Sequence, residues 1–145
     1  MPELILTGDV NLMNVTDPAT PFTRVREEFR AADMVFSNLE CCLYAPPQAQ
    51  SFYNEGFFAD PVIGSDALLG AAIGAVGIAN NVNYGEAAIL SSIARLDAAG
   101  IPHTGAGATI GAATAPAIRG EVARREPRRG SPWPYRARTA ARAAC

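Results

Sequence analysis

The chain has 145 residues, 49% of them apolar and 18% charged, which is enough for one hydrophobic core and too short for two domains of ordinary size. No apolar run approaches the roughly 20 residues of a membrane-spanning helix. Met1-Pro2-Glu3 leads straight into a strand-like segment without the basic and hydrophobic stretches of a secretory signal, so the expected location is the cytoplasm. Charge is unevenly placed: residues 1–118 carry four arginines against twelve acidic residues, a net of −8, whereas residues 119–145 carry eight arginines against two, a net of +6.

In chain order, Leu4-Ile5-Leu6-Thr7 is a short apolar run that reads as a first strand, with the polar cluster Gly8-Asp9-Val10-Asn11 directly behind it. Asp17-Pro18 and Thr20-Pro21 mark a turn. Phe22, Val25, Phe29 and Ala32 then recur at roughly helical spacing, while Arg24, Arg26, Glu27, Glu28 and Arg30 fall largely on the opposite face. Met34-Val35-Phe36 is the second strand and runs into Ser37-Asn38-Leu39-Glu40. Residues 41–63 combine Pro46-Pro47 with Gln, Asn and aromatic residues in no clean period, which predicts a long ordered loop at the same edge. Ser65 is placed to cap a short helix reaching about Ile73. Ala75-Val76-Gly77-Ile78 is the third strand, followed by Ala79-Asn80-Asn81. Ile89, Ile93 and Leu96 form the stripe of a further helix that Gly100 ends, and residues 101–104 form a fourth strand.

Strands separated by helices pair in parallel, because the crossover returns the chain to the same end of the sheet. The three polar clusters therefore gather at the carboxyl edge, where open α/β sheets bind ligands. Carboxylates and amide oxygens meeting there are hard donors, suited to a divalent cation or a phosphate-bearing substrate. Plainer roles compete at each position: a turn cap for Asp9, a solvated strand end for Glu40, a tight turn for Asn80 and Asn81. His103 is the single histidine, and with no CxxC or HExxH pattern no closed zinc site is visible. Cys41 and Cys42 are adjacent and pair with each other only under strain; with Cys145 they make three cysteines, which fits a reducing compartment. Gly105, Gly107 and Gly111 miss the GxGxxG spacing by one residue, which argues against a nucleotide fingerprint.

Gly8-Asp9-Val10, Asn38-Leu39-Glu40, Ala79-Asn80-Asn81 and the stretch Leu96-Asp97-Ala98-Ala99-Gly100-Ile101-Pro102-His103-Thr104-Gly105-Ala106-Gly107 occur in this order at suitable spacing. On these residues the chain resembles the capsule-synthesis CapA family, associated with poly-γ-glutamate capsules and related to the calcineurin-like metallophosphatases. The resemblance implies an α/β fold, a four-layer α/β/β/α sandwich of which residues 1–118 supply the N-terminal part. It implies a metal-assisted hydrolase-type site at the strand ends, with Asp9, Glu40 and Asn81 as metal ligands and Asn11, Asn38 and Asn80 as supports; no catalytic residue is assigned. With no local imidazole, the expected divalent metal is Mn²⁺, Mg²⁺ or Ca²⁺ ahead of Zn²⁺, and the expected substrate is a phosphoester or a polyanionic or amide polymer. The chain departs from the family pattern after the paired Asn, where Val82 stands in the place of a histidine and Asn83-Tyr84-Gly85 follows early; the later histidine motifs are also missing.

Residues 119–145 form an Arg/Pro/Ala-rich tail without apolar period. It reads first as disordered or out-of-frame sequence, since Arg, Pro and Ala without Lys is what a high-GC coding region yields in the wrong frame. A basic arm for nucleic acid is the outsider. Three function classes follow: a metal-dependent hydrolase-type CapA relative, a non-catalytic polyanion- or partner-binding relative or inactive fragment, and a basic-tailed nucleic-acid binder. A partial sandwich should also leave apolar surface such as Ile5, Val35 and Ile78 poorly covered.

Overall fold

The four apolar runs become four parallel strands in a computed structural model that describes residues 1–46, 57–82 and 85–118. In chain order these residues form β1 (Leu4–Val10), α1 (Arg26–Ala31), β2 (Met34–Leu39), β3 (Cys42–Leu43), β4 (Phe58–Ala59), α2 (Pro61–Gly70), β5 (Ala75–Gly77), α3 (Glu86–Ala98), β6 (His103–Thr104) and α4 (Ile110–Ala113). The main sheet has the order β1-β2-β5-β6 with every neighbouring pair parallel, so the α/β class and its βαβ units are as expected. Cys145 and the whole tail from residue 119 lie outside the described residues.

Each crossover steps one place further in the same direction. Right-handed crossovers of that kind stack α1, α2 and α3 on one face of the sheet. Burial agrees, because Phe29 of α1, Leu68 of α2 and Leu96 of α3 join Val35, Leu39 and Val76 in one core. The expectation for Ile5, Val35 and Ile78 is therefore overturned. Val35 is 1% and Ile78 5% exposed, and Ile5 packs half-buried on the same core, because all three belong to the helix-facing side. The thinly covered side is the other one. Leu6 follows Ile5, so its side chain leaves the opposite face of the strand, and it is 68% exposed. Leu4, Met34 and Phe36 share that face through the β1–β2 register and are half-buried.

Two helix starts differ from the sequence reading, and α2 ends at Gly70, short of Ile73. The helix expected through Phe22 and Val25 begins only at Arg26; Phe22 instead lies in the preceding turns, where its carbonyl accepts from Val25 N–H and its ring meets Phe29 at 6.1 Å. Helix α2 begins at Pro61, not near Ser65. Asp60 is its cap, its carboxylate accepting from the Val62 and Ile63 amides at 2.9 Å, and Pro61 fills the first position, where no donor is needed. Ser65 is buried inside the helix and accepts from Arg95 Nε at 2.7 Å. Gly100 ends α3 as expected: its φ is +66°, and the Ile101 amide reaches back to the Leu96 carbonyl at 2.9 Å.

The segment expected as a loop over residues 41–63 contains a short ladder. Cys42 and Leu43 of β3 pair in parallel with Phe58 and Ala59 of β4; residues 47–56 lie outside the described residues. Two-residue strands hold here because α3 closes their backbone. Ser92 Oγ accepts from Leu43 N–H at 2.8 Å, and Ser91 Oγ donates to Leu43 C=O at 2.9 Å. A buried backbone donor or acceptor needs such a partner.

Candidate functional site

The position of Asp9 is decided by an irregularity in β1. Leu4, Ile5 and Leu6 face Met34, Val35 and Phe36, but Asp9 faces Asn38, so one extra residue is absorbed between Leu6 and Asp9. An unbroken register would set Asp9 opposite Leu39, on the helix side. The bulge instead turns its carboxylate to the same side as Asn38, which is what bulges beside functional sites commonly do. The carboxyl ends of β1, β2 and β5 then present Asp9, the Asn38-Leu39-Glu40 segment and the Asn80–Val82 turn along one edge.

One amide joins the two carboxylates. Asn38 Nδ2 donates to Asp9 Oδ1 at 2.8 Å and to Glu40 Oε2 at 2.6 Å, so these two oxygens lie no farther apart than two hydrogen-bond lengths. Asp9 is exposed and Glu40 half-buried, which leaves the pair open to solvent. Asn80 stands behind Asn38: its Nδ2 donates to the Leu39 carbonyl at 2.7 Å and contacts Asn38 Oδ1 at 3.4 Å, while its Oδ1 accepts from Val82 N–H at 3.1 Å. Cys42 Sγ donates to the Val82 carbonyl at 3.4 Å and ties the same turn to β3.

The other predicted residues are placed differently. Asn81 follows Asn80 and is exposed, but no hydrogen bond joins it to Asp9, Asn38 or Glu40. Asn11 accepts from Met13 N–H at 2.9 Å and serves its own turn. His103 stands apart, its Nε2 3.1 Å from Asp97 Oδ1, and lines a shallow cavity of about 370 Å³ with Pro102 and Ile118. That cavity opens at the amino end of β6 and does not contain the carboxylate pair. Among the described residues no group of three His, Cys, Asp or Glu side chains is placed to hold an ion. The sequence marked Asn38 as a support; what it did not reveal is that a single amide bridges both carboxylates.

Cys41, next to Glu40, is a buried free thiol whose pKa burial raises from 9.0 to about 11. Folded and unfolded chains both keep the proton below pH 9, so the stabilisation is complete there. Between 9 and about 11 the unfolded chain loses it first, and stability falls as pH rises through that window, by about 2–3 kcal/mol in full. Urea melts at pH 8.0 and about 10.5 should show a smaller alkaline loss for Cys41→Ala than for the wild type; equal losses would mean that Cys41 does not set this limb.

No helix among the described residues is long and apolar enough to cross a membrane. No curated protein matches the chain closely enough to count as a relative. A family model does: that of the bacterial capsule synthesis protein PGA_cap aligns with residues 3–125. This match takes in all three strand-end clusters and the stretch through β6, in agreement with the resemblance read from their residues, and the chain belongs to the PGA_cap family of bacterial capsule synthesis proteins.

Proposed function

We propose that the edge holding Asp9, Asn38 and Glu40 is a divalent-cation site of hydrolase type, completed by Asn81, that acts on a phosphoester or on a polyanionic or amide polymer in capsule or poly-γ-glutamate metabolism. The observation that carries this reading is the meeting of Asp9 and Glu40, from adjacent strands, on the one amide of Asn38. Two carboxylates held so close repel each other, and the negative potential they share, only partly offset by the Asn38 NH₂ between them, favours a cation. Each carboxylate gives one oxygen to Asn38 and keeps a second for an ion. An all-oxygen donor set fits Mn²⁺, Mg²⁺ or Ca²⁺ better than Zn²⁺. Such an ion polarises a substrate oxygen and acidifies bound water. The chain's part is to hold the two carboxylates together at an open edge that a polymer can reach.

Calorimetry with MnCl₂ tests the reading. Weak binding is expected, with a Kd on the order of 10⁻⁴ M for so few protein ligands, and Asp9→Ala should weaken it at least about tenfold. Equal binding by the wild type and the variant would remove this site from consideration.

A second reading, a non-catalytic relative that binds a polyanion or a partner, is favoured by Val82. This residue replaces the family's histidine and is 1% exposed, with its amide bonded to Asn80 and its carbonyl to Cys42, so the turn is built into the core. Hydrolysis of a generic phosphodiester with Mn²⁺ present supports the first reading; binding of Mn²⁺ without turnover supports the second.

A further inference from the structure

We infer that Asn80 is a positioning residue for the carboxylate pair, acting through the Asn38 amide. Val82 N–H can only donate, so the Asn80 atom facing it is the oxygen; the Leu39 carbonyl can only accept, so the Asn80 atom facing it is the NH₂. Two backbone groups thus set the Asn80 amide one way round. Its NH₂ then meets Asn38 at 3.4 Å, and the group it meets must be the Asn38 oxygen. That turns the Asn38 NH₂ toward Asp9 and Glu40, whose ionised oxygens only accept. Orientation is handed from the backbone of the turn after β5, through two amides, to a pair of carboxylates on two other strands.

This directionality is absent from a plain turn-stabilising role. A turn residue needs only the Asn80 oxygen on Val82 N–H; positioning needs the NH₂ as well. Groups that orient metal ligands from behind typically change affinity by about 10–100-fold when removed. The affinity arm of the test rests on the proposed cation site; the spectral arm does not.

The experiment is a double-mutant cycle on the full chain, read by MnCl₂ calorimetry and by the side-chain amide region of a ¹⁵N spectrum without metal. Asn38→Ala and Asn80→Ala should each weaken Mn²⁺ about tenfold, and the double variant should be no weaker than either, because both break one chain of contacts. Additive losses, or full affinity in Asn80→Ala, would overturn the inference. If the wild type binds no Mn²⁺ the cation reading fails, and the spectrum still decides. The Asn38 NH₂ resonances should move on Asp9→Asn and again on Asn80→Asp, a variant that keeps the acceptor for Val82 N–H and puts a charged acceptor where the donor stood. Resonances unmoved by Asn80→Asp would show that Asn80 does not orient Asn38.

Discussion

Gly105→Ala is expected to destabilise the protein by about 3 kcal/mol or more, a drop of roughly 10 °C in melting temperature, and to disturb the Asn80 turn with it. Gly105 has φ +103°, outside the range that side chains tolerate. A methyl group placed on it would lie 2.5 Å from the Ala79 Cβ and 2.6 Å from the Ala79 amide nitrogen, and a backbone atom cannot step aside as a flexible side chain can. Ala79 immediately precedes Asn80, so the relief of that clash moves the residue that faces Asn38. Gly100→Ala is the control. Gly100 also has positive φ, +66°, but open space around it, and should cost only about 1 kcal/mol. Similar melting temperatures for the two variants would show that close packing on Ala79 is not what holds this turn.

Leu39→Ala should lower stability by about 2–5 kcal/mol, whereas Leu6→Ala should change it by less than about 1 kcal/mol. Both are leucines in strands of one sheet. Leu39 is fully buried among the helices, between Asn38 and Glu40, and truncating it leaves a cavity under the carboxylate pair. Leu6 is 68% exposed on the face without α1–α3 and loses little on truncation. Urea denaturation of the two variants reads the difference directly. Equal losses would mean that the Leu6 face is covered in solution.

Much of the scaffold was legible from residue order. Short apolar runs at 4–7, 34–36, 75–78 and 101–104, separated by helical patterns, are sufficient for parallel βαβ units, because a crossover has only one favourable hand. Gly100 announced the end of α3 for a local reason, the need for positive φ. The start of α2 was also written locally, in Asp60-Pro61, a cap followed by the residue that tolerates the first turn; Ser65 was a competing cap signal that the core claimed instead. The ladder of β3 and β4 was not legible. Two residues are too few to show a period, and their pairing depends on a serine pair of α3 that is remote in sequence.

For the site, the sequence by itself determined which polar residues follow which strands, and hence that the clusters of Asp9, of Asn38 and Glu40, and of Asn80 and Asn81 share an edge. Only the tertiary structure decided how they meet. The side of the sheet on which Asp9 emerges depends on a one-residue bulge, and a bulge is a property of two paired strands, not of one. The bridging role of Asn38 depends on which end of its amide faces the carboxylates, and the acceptor-only carboxylates on one side and the Asn80 NH₂ on the other both select the same end. Local sequence sets the chemistry that reaches an edge; non-local pairing sets the distances and directions in which that chemistry is presented.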